Sequence, residues 1–145
     1  MMTIKHVNVQ QAHQAQASGA TYLDVRSIPE FQAGHPEGAF NIPLVHLDPV
    51  THQMRPNPEF LDVVRAVFPP ETHLVIGCKM GGRSAQACEL LSNVGYQDVS
   101  NVLGGFSGSP QTGHPGWTQL GLPIEESAAP EREYEALRKK AAGAR

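Results

Sequence analysis

The sequence predicts an α/β fold, a parallel sheet of about five strands with helices on both faces. Three observations carry that expectation. Short apolar runs alternate along the chain with longer stretches whose apolar residues recur at helical spacing. At His73–Ser84 one such run, Leu74-Val75-Ile76, ends at Gly77-Cys78 and passes through a glycine-bearing loop into a helical pattern at Ala85, Ala87, Cys88, Leu91 and Val94. That is the strand, loop and helix of an open sheet, whose ligands bind outside the carboxyl ends of the strands. Finally, 145 residues suffice for one domain with its own core, and no internal repeat divides them.

In order, residues 3–7 read as a first strand, and Asn8 caps a helix running to about Ser18, with Gly19 after it. Thr21 to Val25 is the second strand. Ser27 with Glu30 three residues on reads as a capping box, with Pro29 in the first turn and Gly34 as the stop. Ala39 to Ile42 is a small strand limited by Pro43. Residues 44–56 read as an irregular loop. A helix follows from Asn57-Pro58-Glu59 to about Phe68, with Phe60, Leu61, Val64 and Val67 on its apolar face and Pro69-Pro70 ending it. The strand at 73–77 and the helix at 84–94 come next, then a last strand at 98–102. Residues 106–117 read as a loop. Residues 127–130 resemble a linker, and Glu131 to Ala142 is charged and alanine-rich, as in a helix. That helix either packs on the domain, packs on another subunit, or remains a solvated tail.

Composition narrows the function. A net charge of −3 gives no bulk electrostatic case for nucleic acid or an acidic membrane. No apolar run approaches the length of a membrane span, and Met1 to Gln10 lacks the apolar core of a signal peptide. Two cysteines make no disulfide framework. The expectation is a cytoplasmic protein with reduced thiols. The seven histidines show no ligand spacing, and there is no Cys-x-x-Cys, so neither a metal nor a cofactor is expected.

The chemistry concentrates at Cys78-Lys79-Met80-Gly81-Gly82-Arg83-Ser84. Two glycines let the backbone curl, and a curled run of N–H groups makes an anion-binding nest. The following helix adds its free N–H groups and the positive end of its dipole. Such a field, with Lys79 and Arg83 nearby, favours an anionic sulfur, which is the nucleophilic form. The plainer reading is a buried structural cysteine at the end of a strand.

These residues resemble the active-site loop of rhodanese-like sulfurtransferases, with its Cys-x-x-Gly-x-Arg-Ser/Thr pattern. Tyr22 to Pro43 resembles the same family's upstream signature: Asp24-Val25-Arg26 at a strand end, Glu30-Phe31 on a short helix, then Gly34-His35 leading to Gly38-Ala39-Phe40-Asn41-Ile42-Pro43. Asn101 to Phe106 is similar to the last strand and Gly-Gly turn, and the three segments lie in family order. The resemblance implies a three-layer rhodanese-like domain over residues 1–126, with 127–145 as linker and helix. It implies a sulfurtransferase that carries a sulfane sulfur on Cys78 as a persulfide. Its donor would be a small molecule such as thiosulfate, and its acceptor cyanide, a thiol or a protein. Lys79, Met80, Gly81, Gly82, Arg83, Ser84 and Arg26 would surround the substrate, with Asp24 and Glu30 supporting the site.

Related phosphatases and arsenate reductases place five residues between Cys and Arg. Here there are four, which favours the shorter sulfur-transfer loop. A non-catalytic binding module is the other alternative. Several roles stay open at this level. Arg83 either contacts substrate or braces the loop through Glu30 or Asp24. Asp24 is either structural or faces the Cys78 loop. Cys88 is either buried and inert or a resolving thiol. His114 is either solvated or faces the substrate.

Overall fold

The computed structural model describes residues 4–143, so Thr3 of the expected first strand lies outside the described residues. Asn8 caps helix α1 (Val9–Ala17) as its sequence predicts. Its Oδ1 accepts the Gln11 N–H at 2.8 Å, and Gln11 Oε1 accepts the Asn8 N–H at 2.8 Å. Strands β1 (Lys5–Val7), β2 (Thr21–Asp24), β4 (Phe40–Asn41), β7 (Leu74–Gly77) and β8 (Val99–Val102) form the central sheet in the order β1-β8-β7-β2-β4. Every pairing within it is parallel. Between them run α2 (Ile28–Ala33), α3 (Phe60–Val67) and α4 (Gly82–Asn93).

Alternation along the strands divides the core in two. Leu23, Leu74, Ile76 and Val99 face Phe60, Val63 and Val64 of α3 and Ala87, Cys88 and Leu91 of α4. Tyr22, Val75 and Val102 face the other way, onto Val9 and Ala12 of α1, Phe31 of α2 and the fully buried Trp117. The register sets Asp24 beside both Gly77 and Asn41, and Ile76 beside Asn101, so these positions share one edge at the carboxyl ends of the strands. Cys78 begins there.

The structure corrects the reading of residues 44–56. They form an antiparallel hairpin, β5 (Val45–Leu47) with β6 (Met54–Pro56), not an irregular loop. Its turn lacks a glycine dipeptide. The Asp48 carboxylate instead accepts the N–H groups of Val50 at 2.8 Å and Thr51 at 3.0 Å, and His52 takes the left-handed conformation at φ 62°. Helix α3 starts at Phe60, later than expected, because Asn57 serves as a hub. Its Oδ1 accepts the Glu59 N–H at 3.0 Å, while its amide donates to the Pro43 carbonyl at 2.9 Å and the Tyr134 hydroxyl at 3.1 Å. Helix α4 starts at Gly82, ahead of the expected Ser84.

Two further features had no sequence pattern. Strand β3 (His35–Pro36) pairs with β9 (Ile124–Glu125), and a 3₁₀ turn at Pro130–Arg132 follows. Helix α5 (Tyr134–Gly143) then lies against α3, burying Tyr134, Leu137 and Ala141 in the larger core. Fully burying an aliphatic side chain is worth about 1.5–3 kcal/mol, so this helix is fastened to the domain. Among the described residues, no helix is long and apolar enough to cross a membrane.

Candidate active site

Cys78 is 2% exposed and follows β7 directly. Its Sγ accepts the Gly81 N–H at 3.1 Å and lies 3.3 Å from Ser84 Oγ. Gly81 reaches back this way at φ 122°, a conformation that disfavours any side chain. Gly82 has ordinary φ and open space around it, so only Gly81 of the pair is demanded by the curl. The first backbone bond across the helix start runs from Ala85 N–H to Gly81 O at 3.2 Å. The N–H groups of Gly82, Arg83 and Ser84 precede it, and they carry the positive end of the α4 dipole towards the sulfur.

A second segment braces this loop from behind. Phe106 N–H donates to Cys78 O at 2.8 Å and Ser107 N–H to Lys79 O at 2.9 Å. Gly105 sits at φ 56°, and a Cβ there would overlap the Cys78 carbonyl oxygen and come within 2.8 Å of the Lys79 carbonyl carbon. Trp117 N–H in turn donates to Gly105 O at 2.9 Å.

Two ion pairs fix the surroundings. Arg83 grips the Glu30 carboxylate with two donors, at 2.8 and 3.1 Å. Glu30 also accepts the N–H and hydroxyl of Ser27 at the cap of α2, at 3.0 and 2.8 Å, so the Arg83 pair ties α2 to α4. Burial opposes its charge, but the Arg83 and Ser27 hydrogen bonds prevail and hold the carboxyl at about 2. The same Glu30 contact raises the Arg83 pKa. Asp24 takes Arg26 Nη2 at 2.7 Å and Nε at 3.0 Å. Arg26 also donates to the Gly34 carbonyl at 2.7 Å, stacks 4.3 Å over the Phe106 ring, and is 4% exposed. Arg26 is therefore placed inside the wall, whereas the resemblance had it surround the substrate. Lys79, Met80 and Gly82 are the exposed members of the loop, Met80 at 51%.

Cys88 faces the core, where burial first and the nearby Cys78 second push its thiol up to about 12. His114 bonds locally, its Nδ1 lying 2.8 Å from Thr112 Oγ1. It lines a surface cavity with Ser107, Pro110 and Gln119, and none of the Cys78 loop residues lines that cavity. Among the described residues, no group of three or more His, Cys, Asp or Glu is arranged to hold a metal ion.

The rhodanese-like domain model matches residues 8–109. This chain belongs to the rhodanese-like family. Its relatives include thiosulfate sulfurtransferase 16, chloroplastic, of Arabidopsis thaliana, 36% identical over 119 residues covering 82% of this chain and 91% of that one. The thiosulfate sulfurtransferase GlpE of Haemophilus influenzae is 28% identical over 125 residues, 86% of this chain and 97% of that one. Among solved structures, Rv0390 of M. tuberculosis superposes with a TM-score of 0.73 at 25% identity, covering 87% of this chain and all of that one. The likeness to thiosulfate sulfurtransferases supports a rhodanese-type sulfurtransferase.

Within this rhodanese-like site, Cys78, Gly81 and Ser84 meet directly, while Glu30–Arg83 and Asp24–Arg26 frame them. Sequence reasoning gave no role to Asn101 or to the reason for Gly105. An asparagine between Ser100 and Val102 on a strand buried at every position was the available signal for the first. The second depends on two distant backbones approaching each other, which no local pattern reports.

Proposed function

We propose that this protein is a sulfurtransferase that moves a sulfane sulfur through a Cys78 persulfide. The observation that carries the proposal is the setting of Cys78 Sγ at the amino end of α4, with the Gly81 N–H already bonded to it. The Cys78 thiolate attacks the outer sulfur of a donor such as thiosulfate. Its electron pair forms the new S–S bond, the donor's S–S bond breaks, and sulfite leaves with that bond's pair. The backbone N–H groups at the start of α4 stabilise the charge on the outer sulfur and the departing oxyanion. A thiophile, cyanide in an assay or a thiol or protein in a reducing cytoplasm, then attacks the outer sulfur and returns Cys78 as thiolate. Two covalent half-reactions give ping-pong kinetics. Because Arg83 is occupied by Glu30, the anionic end of the donor meets backbone N–H groups and Lys79. That arrangement, with the four-residue spacing, supports sulfur transfer over a phosphatase or arsenate reductase, which would turn Arg83 to an oxyanion.

The test is the intact mass after thiosulfate treatment, with and without cyanide, beside Cys78→Ser. The expected result is a gain of one sulfur atom that cyanide removes and the variant never shows. A stable absence of any gain with every sulfane donor tried moves the assignment to a binding module.

A further inference from the structure

We propose that Asn101 is a positioning residue for the reacting thiol: its side-chain carbonyl fixes where the Ser84 hydroxyl proton points, and thereby whether Ser84 donates to Cys78 or accepts from it. Among the described residues, Ser84 Oγ has Asn101 Oδ1 at 2.5 Å, Gly81 O at 3.2 Å and Cys78 Sγ at 3.3 Å as its hydrogen-bond neighbours. A hydroxyl has one proton to give, and an amide oxygen can only accept. The shortest contact therefore takes the proton, and Ser84 turns a lone pair to the sulfur. Asn101 is 2% exposed at the carboxyl edge of β8, and its Nδ2 lies 3.3 Å from Nδ1 of the exposed His6 on β1. With His6 Nδ1 as the ring nitrogen that accepts, this second contact holds the amide with its oxygen towards Ser84. The chain of contacts thus runs from the surface, through the sheet, to Cys78 Sγ.

Other charged and titratable groups surround this point. Lys79 lies on the same loop, the Arg83–Glu30 pair joins α4 to α2, Asp24 with Arg26 and the Tyr22 phenol come from β2 and its end, and Cys88 lies on α4. Each acts on the sulfur through space, whereas Asn101 acts through one hydroxyl. That difference makes the two kinds of influence separable.

The inference rests on Cys78 as the reacting thiol. Iodoacetamide alkylation reads that thiol directly, whether or not any sulfur donor reacts. The rate at the Cys78 peptide is followed against pH in the wild-type chain, Asn101→Leu, Ser84→Ala and the double variant. In Asn101→Leu the freed hydroxyl donates to the thiolate, and the alkylation midpoint falls by roughly half to one pH unit. In the Ser84→Ala background the Asn101→Leu change moves nothing further. An equal shift with and without Ser84, or no shift in either, overturns the proposal. Should Asn101→Leu fail to fold, Asn101→Asp serves. Its carboxylate still captures the hydroxyl proton, so the midpoint holds or rises, and a fall overturns the proposal.

Discussion

Cys78 and Cys88 stand ten positions apart, both nearly sealed from solvent, at 2% and 0% exposure. Burial therefore does not distinguish them. Cys78 sits where β7 ends, and its sulfur receives an N–H from Gly81 at the amino end of α4. Cys88 sits further along that same helix among Ala87, Leu91 and the strand side chains, and burial drives its thiol up to about 12. Under the proposed function, a thiol becomes a working nucleophile here through the donors aimed at it, and a stable core atom where burial alone governs it.

The comparison breaks most sharply on the thiols themselves. Cys78→Ser should lower thiosulfate-to-cyanide transfer by more than about a thousandfold, as loss of a covalent nucleophile does, while Cys88→Ala stays within about twofold. Comparable losses in a steady-state assay would erase the distinction drawn above. The glycines around Cys78 give the next largest effect. Gly105→Ala drives a methyl into the Cys78 carbonyl and should cost more than about tenfold in activity and about 1–3 kcal/mol in urea unfolding. Gly82→Ala meets open space and should gain up to about 1 kcal/mol in helix stability with little kinetic change.

Smaller effects follow from the ionisable groups. Glu30 has its folded pKa depressed from 4.5 to about 2, so the stability it contributes is present above 4.5 and lost as pH falls towards 2. Glu30→Gln should remove that acid limb from a plot of stability against pH and weaken the fold at neutral pH by about 1 kcal/mol. Cys88 behaves oppositely. Its folded pKa is raised from 9.0 to about 12, so between those values the unfolded chain has released a proton that the folded one keeps, and stability falls as pH rises. Cys88→Ala should flatten that alkaline limb in denaturant titrations, and an unaltered slope would move its cause to another group.

Much of this was legible in the sequence because the governing interactions are local. The Asn8 cap, the Ser27–Glu30 bond and the passage from Ile76 into α4 each depend on residues within a few positions of one another. The hairpin was hidden because its turn is made by an Asp48 carboxylate rather than by a glycine pair. Docking of α5 was half visible: Tyr134, Leu137 and Ala141 share one helical face, but only the structure supplies α3 as its partner. At the candidate site, the loop that carries Cys78 from β7 into α4 was plain. Arg26 was set around the substrate by the family resemblance, whereas Asp24, the Gly34 carbonyl and the Phe106 ring hold it inside. Asn101 escaped for the same reason as Gly105, since each acts on a segment far from it along the chain.

That distance has a consequence in time. Asn101, Gly105 and Phe106, which hold the Cys78 loop from below and behind, all come later in the chain than the loop itself, and among the described residues β1 pairs only with β8. Contacts so far apart form slowly, because loop closure precedes any gain from them. During synthesis the thiol is thus made before these partners are, and in refolding its native reactivity should appear only as β8 docks. Timed alkylation during refolding reads that order. A Cys78 rate that becomes native-like before β8 is protected from hydrogen exchange would reverse it.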